Sequence, residues 1–349
     1  MISLINAISH FLVDAVCICA LFAAKEDAHG FAAAVIAYNT LAFSTQCLAG
    51  LAIDRVKGSA AKILRSCGYI EALSMAVVAL GAIAPLGIML KAVAIGLGNS
   101  MFHVSGGAVT LRMSRGKAAP LGVFVAPGAF GVTIGTLYPS VLKWMASALI
   151  IVAVICFFAC KSAFSGAETR ETVNYASAQG KGAQIGGKGD LLPVALLTIA
   201  VAVRAVGGYA AVFTWKDGAL DALLLTLFVF LGKAAGGFVC DRFGAGRMSA
   251  VTITAAAVLT AFFAFSMPLS LAGQFLLNLS MPVTLWLLYR LLPQHPGTAF
   301  GLAASALWPG TIAGQAISVS GPLQTILILL CFIFGLGAIM YSERVIRRF

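Results

Sequence analysis

Charged side chains are scarce in this sequence of 349 residues, where they make up only 10% of the chain. Soluble domains carry about 25% charged residues. Hydrophobic residues account for 60% of the chain, and the mean hydropathy is +0.99. A water-facing surface cannot be built from this composition, which therefore excludes soluble globular, disordered and fibrous proteins. The remaining class is a polytopic membrane protein.

Motifs of catalysis and metal binding are also missing. The sequence has no GxGxxG or other phosphate loop, no nucleophile–base constellation and no metal-ligand spacing. Its eight cysteines form no CxxC pair and lie almost entirely in apolar runs, so neither a disulfide framework nor a zinc site is indicated. We therefore expect no enzyme, no cofactor and no metal. The net charge of +11 does not predict nucleic-acid binding, because most basic residues lie in short loops between apolar runs.

Apolar runs long enough to cross a bilayer follow one another along the chain. A crossing needs about 20 apolar helical residues. We predict an all-α fold with twelve spans, near 3–24, 31–53, 62–84, 87–111, 118–138, 141–164, 191–213, 219–240, 248–267, 269–291, 298–320 and 323–342. The divisions at 84/87 and 267/269 each depend on one proline, Pro85 and Pro268.

The distribution of basic residues tests this topology independently. With the N-terminus in the cytoplasm, seventeen Lys and Arg residues fall on the inner side and only Lys25, Lys143 and Lys216 on the outer side. Cytoplasmic loops of membrane proteins carry such an excess. We therefore predict a multi-pass cell-membrane protein, in a bacterial inner membrane, with both termini cytoplasmic.

A polar stretch at 165–190, rich in Gly, Ser and Ala, divides the chain. Its composition is typical of a flexible linker. The predicted domains are an N-terminal six-helix half at 1–164, the cytoplasmic linker at 165–190 and a C-terminal six-helix half with a short cytoplasmic tail at 191–349.

The two halves repeat one another. A Gly-x-x-x-Asp-Arg pattern begins at Gly50 and again at Gly237, 187 residues later. At an offset of 179, Asn99, Gly122, Gly131 and Gly135 recur as Asn278, Gly301, Gly310 and Gly314. This pattern indicates a six-span unit duplicated in parallel orientation.

The loop signature resembles that of the major facilitator superfamily, G-x-L-a-D-r-x-G-r-r. It stands here as Gly50 to Gly58, with Asp54 and Arg55, and again as Gly237 to Arg247, with Asp241 and Arg242. The resemblance implies a facilitator fold and a conformational latch at the two Asp-Arg pairs. Phe102-His103 resembles the fosmidomycin-resistance branch, with Val104 in place of proline, and 122–135 partly resembles an antiporter motif.

Polar side chains within the spans are the best pointers to function, because charges at bilayer depth are costly and usually face a cavity or a partner. Asp14 lies near the centre of span one with His10 four residues earlier, so both lie on one helix face. We predict proton coupling at Asp14 and His10, with Glu71 of span three as a further structural pair or local proton site. The alternative for His10 and Asp14 is a fixed pair bound to a neighbouring helix.

Arg204 lies near the middle of span seven. A buried arginine needs a carboxylate or an anionic ligand, and its planar fork suits carboxylate or phosphonate recognition. We predict anion binding by Arg204, against the alternative of an ion pair with Asp14 or Glu71. The other predicted substrate-binding residues are polar or aromatic groups inside spans: His103, Asn99, Lys233, Asn278, Trp308 and Asn39. Trp308 is included because Pro309-Gly310 is expected to break its helix.

The resulting hypothesis is a monomeric secondary transporter that moves a small organic anion, coupled to a proton or Na⁺, by rocking of two halves in the lipid bilayer. One alternative is a proton-driven drug or toxic-compound exporter of the same fold. A remoter alternative is a non-transporting receptor or accessory subunit.

Overall fold

The computed structural model describes residues 1–25, 28–165 and 191–348. Within this part of the chain, eleven helical stretches are long and apolar enough to cross a membrane, and they confirm the matching predicted spans to within a few residues. In chain order they are spans one to ten and twelve: Ile2–Phe22, Gly30–Asp54, Ala60–Ile83, Ile88–Met113, Ala119–Leu137, Pro139–Ala163, Leu191–Ala210, Ala219–Phe243, Ala245–Phe262, Met267–Leu291 and Pro322–Ile346. Span eleven is the helix Pro296–Ala316, which falls outside those eleven. Except for Ser165, the predicted linker lies outside the described residues.

Four of these spans are not continuous α-helices. Span two contains a π-helical turn, Thr40–Ser44, between Ala28–Asn39 and Gln46–Asp54. Span five consists of Ala119–Val125 and Gly128–Leu137. Span six opens with a 3₁₀ turn, Pro139–Val141, before Leu142–Ala163. Span ten consists of Met267–Asn278 and Ser280–Leu291.

Prolines and one glycine set several span ends. Ala84 ends span three in an extended conformation, φ −61° and ψ 149°, because the ring of Pro85 disfavours a helical residue before it. Pro268 lies in the first turn of span ten, where proline is tolerated. Spans eight and nine are joined by the single residue Gly244, whose φ of +83° suits a residue without a Cβ.

The described residues form two compact units, each with its own packing. One unit comprises Met1–Arg115, Pro127–Gly182 and Gln294–Gly301, as far as these are described. The other comprises Gly116–Ala126, Ala183–Pro293 and Leu302–Phe349, with the same restriction.

Large apolar side chains point outward from many spans, whereas polar side chains are buried. Leu4, Leu48, Ile151 and Phe158 are exposed, while Gln46 and other polar residues of the same helices are buried. Exposed apolar surface of this extent belongs in lipid rather than in water.

Glycines at equivalent positions of the two halves pack against the first span of their own half. A Cβ on Gly131 in span five would collide with the backbone of Phe11 in span one. A Cβ on Gly310 in span eleven would collide with the backbone of Ala202 in span seven. Span five therefore packs on span one as span eleven packs on span seven.

A second pair of glycines repeats in the same way. A Cβ on Gly122 in span five would meet the carbonyl oxygens of Lys233 and Ala234 in span eight. A Cβ on Gly301 in span eleven would meet the carbonyl of Gln46 in span two. Helix backbones approach this closely only where small residues face each other.

Candidate functional site

Four polar side chains from spans one and four meet inside the first unit. Asp14 Oδ2 lies 3.3 Å from His10 Nε2, and Asp14 Oδ1 lies 3.7 Å from His103 Nε2. The two imidazoles meet directly, with their Nε2 atoms 2.9 Å apart. The Asn99 amide donates to Asp14 Oδ1 at 3.2 Å. The two pairs predicted separately on spans one and four are therefore one cluster.

This cluster is buried. His10, His103 and Asn99 are buried, while the side chain of Asp14 keeps 13% of its surface exposed. A group of this kind in a membrane-spanning helix is costly unless it is paired, and pairing with a neighbouring helix is what the structure shows.

The hydrogen bonds of His103 constrain where a proton sits. Its Nδ1 lies 2.9 Å from the Asn99 carbonyl oxygen, which can only accept, so Nδ1 carries a hydrogen. In neutral His103 the Nε2 atom is then an acceptor, and His10 must donate from its own Nε2. If His103 is doubly protonated instead, the donor and acceptor exchange roles. A hydrogen bond between the two Nε2 atoms therefore requires one proton between them, beside the Asp14 carboxylate.

Glycines of span five bring its backbone against this cluster. A Cβ on Gly128 would lie within van der Waals overlap of His10 Nε2 and would meet Asp14 Oδ2 at 2.5 Å. Three residues further along the same helix, a Cβ on Gly131 would meet the Cβ of Asp14 at 2.9 Å. In the sequence, Gly131 was recognised as part of the repeat and Gly128 lay in the stretch that partly resembles an antiporter motif, but neither was connected to Asp14.

Replacing Gly128 with alanine is expected to disrupt the cluster, because the new methyl group occupies the space of His10 and Asp14. Forcing an extra methyl into a packed site costs about 1–3 kcal/mol. We expect a lower unfolding temperature and impaired proton-driven uptake in reconstituted vesicles. The matched control is Gly208→Ala in span seven, where a Cβ would meet no atom within 4 Å. Equal behaviour of the two variants would contradict the packing described here.

Arg204 lies in the second unit, where its guanidinium contacts Met281 Sδ and lies 3.4 Å from Ser280 Oγ. In the described part of the chain no carboxylate forms an ion pair with it. The predicted alternative of an ion pair with Asp14 or Glu71, which belong to the other unit, stays a prediction. The guanidinium lines a cavity of about 20 Å³, roughly the space of one water molecule. Ser280 and Thr284 contribute hydroxyl groups to its wall.

Three other predicted substrate residues belong to the same unit as Arg204. The residues that line its cavity include none of Lys233, Asn278 or Trp308. Asn278 donates to the carbonyl of Gln274 one turn earlier, at 2.8 Å. Its repeat-mate Asn99 instead reaches across to another helix, so the repeat preserves the residue and not its contact.

Two further amide and aromatic predictions have local explanations. The Asn39 amide donates to the Val35 carbonyl at 2.8 Å, just before the π-helical turn of span two. Trp308 is half-buried. The predicted helix break after it is wrong, because Pro296–Ala316 continues through Pro309. Proline is tolerated inside membrane helices, where neighbouring groups satisfy the freed carbonyl.

Glu71 of span three is completely buried, and neither carboxylate oxygen has a hydrogen-bond partner among the described residues. The structural pair predicted for it is therefore not formed there. The contacts described for Asp14 do not include Glu71 either. An unpaired charge at this depth is strongly disfavoured, so the site suits the neutral acid.

Replacing Glu71 with glutamine is therefore expected to leave both uptake and thermal stability unchanged, because the amide has the shape of the neutral acid. Glu71→Lys introduces a charge and is expected to cost about 2.5–3.5 kcal/mol. Thermal unfolding and vesicle uptake of the two variants measure this difference. A loss of uptake in Glu71→Gln would show instead that its carboxyl group carries a coupling proton.

Both signature aspartates bind the first turn of a helix. Asp54 accepts from the backbone N–H groups of Gly297 at 3.0 Å and Thr298 at 2.7 Å, at the start of span eleven. Asp241 accepts from the N–H groups of Ala118 at 2.7 Å and Ala119 at 3.0 Å, at the start of span five. A carboxylate here satisfies free donors and complements the helix dipole.

The basic partners differ from the predicted pairs. The guanidinium near Asp54 belongs to Arg112 of span four, with Nη2 3.7 Å from Oδ1. Arg55 is exposed, and Arg242 lies over the ring of Phe243 at 5.6 Å. Arg112 lies in the last turn of span four, and this position was a usable signal in the sequence.

All eight cysteines are free, and seven of them are buried. Cys17 lies beside the cluster, with its sulfur 3.8 Å from the Asn99 amide nitrogen.

The structure resembles solved transporters of the major facilitator superfamily. The E. coli fucose:proton symporter FucP matches with a TM-score of 0.64 and 12% identity over 97% of each chain. A structure of FucP in the outward conformation matches with a TM-score of 0.65, again at 12% identity over 97% of each chain. This likeness and the apolar helices confirm a multi-pass membrane protein with the facilitator fold.

Searches of protein-family models and of curated protein sequences give no match to this chain. The comparisons thus provide no support for the fosmidomycin-resistance branch.

Proposed function

We propose that this chain, which has the fold of the major facilitator superfamily, is a secondary transporter and not an enzyme. It moves a small organic anion together with a coupling proton. The observation that carries the proposal is the cluster of Asp14, His10 and His103, in which two imidazole Nε2 atoms lie 2.9 Å apart beside a carboxylate.

The chemistry of the cluster favours a proton over Na⁺ as the coupling ion. Hard cations take oxygen ligands, usually several of them. Here two of the three groups that converge are imidazole nitrogens, which match Na⁺ less well than oxygen ligands do. Movement of one proton between His10, His103 and Asp14 needs only small changes in hydrogen bonding.

An anionic substrate is supported by Arg204. Arg204 is half-buried and has no carboxylate among its described contacts, so another source of negative charge would stabilise it, and a transported carboxylate or phosphonate would provide one. FucP is named as a fucose:proton symporter, but a shared fold does not determine the substrate. A neutral sugar would leave Arg204 uncompensated.

The proposed mechanism is alternating access by rocking of the two halves, with a monomer in a bacterial inner membrane and both termini cytoplasmic. Asp54 and Asp241 act as conformational latches in this scheme. Their hydrogen bonds to helix N-termini would break and re-form as the protein changes state.

Thermal-shift screening of the purified protein tests the substrate class. Anionic, neutral and cationic metabolites, with fucose among the neutral ones, are compared across pH 5 to 8. A ligand at 100 times its Kd stabilises by about 2.7 kcal/mol, so we expect stabilisation by an anion, followed by uptake of that anion into vesicles under an imposed proton gradient. Stabilisation by lipophilic cations that persists in Arg204→Gln would favour the exporter. Binding without flux would favour a receptor.

A further inference from the structure

We propose that His10, Asp14 and His103 form a binding site for one divalent metal ion such as Zn²⁺. One ligand atom of each residue lies within 4.8 Å of the other two. The proposal concerns metal binding by the chain itself and does not depend on what the protein transports.

The spacing of the three ligand atoms matches a tetrahedral site. Zinc bonds to nitrogen and oxygen are about 2.0–2.1 Å long, and tetrahedral angles then place the ligand atoms about 3.3–3.4 Å apart. The observed separations are 2.9 Å between the two Nε2 atoms, 3.3 Å from His10 to Asp14 and 3.7 Å from His103 to Asp14. Shifts of a few tenths of an ångström are sufficient to place an ion between them.

The surroundings of His103 provide the support that a metal ligand needs. Ligating histidines usually donate their other ring N–H to a carbonyl or carboxylate, which fixes the tautomer. His103 makes this contact through Nδ1, 2.9 Å from the Asn99 carbonyl oxygen, and so directs the lone pair of Nε2 into the cluster. The Asn99 amide similarly orients the Asp14 carboxylate.

The ligand types and the partial exposure of Asp14 favour a divalent ion that is intermediate between hard and soft. Two imidazoles and one carboxylate suit Zn²⁺, Co²⁺ or Ni²⁺ better than Mg²⁺ or Ca²⁺, which prefer oxygen ligands. The 13% exposure of the Asp14 side chain provides an entry path. Three protein ligands leave the fourth tetrahedral position for water or an anion.

Sequence spacing did not reveal this site. His10 and Asp14 are four residues apart on span one, but His103 lies 93 residues beyond His10. The three ligands meet only because spans one and four pack together.

The test is a Zn²⁺ titration of the full-length protein in detergent, after chelator treatment and removal of any polyhistidine tag. A chromophoric zinc indicator reports competition, and Co²⁺ absorbance reports tetrahedral coordination. We expect one tight site per chain and the intense visible bands of tetrahedral Co²⁺. Transport is not measured, so failure here leaves the proposed proton-coupled transport standing, and failure of transport leaves this result standing.

The variants separate this site from other histidines and thiols. His10→Asn, Asp14→Asn and His103→Asn are each expected to weaken Zn²⁺ binding by at least about 100-fold, since loss of a mere supporting contact costs about 10–100-fold. His295→Gln is the matched control, because His295 is exposed and distant in sequence from the cluster. Cys17→Ser tests the neighbouring thiol and is expected to retain the site.

A variant with an altered metal preference serves as a control, because the loss of binding in the other variants could come from misfolding. His103→Cys replaces an imidazole by a thiolate, which is expected to keep a site but shift its preference from Co²⁺ toward the softer Cd²⁺. The proposal is overturned if the wild-type protein shows no tight site. It is also overturned if a double His10→Asn, His103→Asn variant that unfolds at the wild-type temperature binds Zn²⁺ as the wild type does.

Discussion

Replacing Asp14 with asparagine is expected to abolish accumulation of substrate under a proton gradient. The amide has the shape of the protonated acid but cannot release a proton, so the step that couples transport to the gradient is lost. Exchange of substrate across the membrane needs no net release of the proton and is expected to continue. Vesicles with an imposed pH gradient measure the first activity, and counterflow without a gradient measures the second.

The matched control for Asp14→Asn is Asp217→Asn, which removes a negative charge from an exposed loop residue between spans seven and eight. This control is expected to accumulate substrate normally. Proton-driven accumulation at the wild-type level by a correctly folded Asp14→Asn variant would contradict the coupling role. Loss of both accumulation and counterflow, with a much lower unfolding temperature, would instead identify Asp14 as structural.

Replacing Arg204 with glutamine is expected to weaken binding of the anionic substrate strongly. Removal of one partner of a buried, hydrogen-bonded charge pair costs about 2–5 kcal/mol. At about 1.4 kcal/mol per factor of ten, the lower figure already corresponds to about a 30-fold rise in Kd. Arg204→Lys is expected to be intermediate, because lysine keeps the charge but not the planar fork. Ligand-dependent thermal shifts give the three affinities directly.

The unfolding temperature without ligand separates binding from structure for Arg204. The guanidinium has Ser280 and Met281 as contacts and no carboxylate among the described residues. Its partial burial is therefore unfavourable, and Arg204→Gln is expected to keep or raise the unfolding temperature of the ligand-free protein. A marked fall in that temperature, with unchanged anion binding, would show that Arg204 only supports the fold.

The spans could be predicted from the sequence because a bilayer imposes a length and an apolar composition on each crossing. Even the two divisions that depended on Pro85 and Pro268 are real helix ends. The helix break expected at Pro309 is wrong, since the same residue type ends a helix in one context and is accommodated in another. Sequence alone does not distinguish these contexts.

The cluster could be predicted only in part. The spacing of four residues placed His10 with Asp14 and Asn99 with His103. It does not show which neighbouring helix each of these two helix faces contacts. The same limit explains the signature loops. Arg55 follows Asp54 directly and so leaves the helix in another direction, whereas Arg112 reaches Asp54 from span four.

The repeat-related glycines tolerate substitution less well than the polar residues of the repeat do. A side chain at Gly131 or Gly310 would collide with the main chain of the neighbouring helix, and main chain cannot move aside as a side chain can. The helix contacts at Gly131 and Gly310 are thus equivalent in the two halves, whereas Asn99 and Asn278 have different partners. Around these equivalent contacts, the first half holds an acid beside two imidazoles and the second half holds a half-buried arginine.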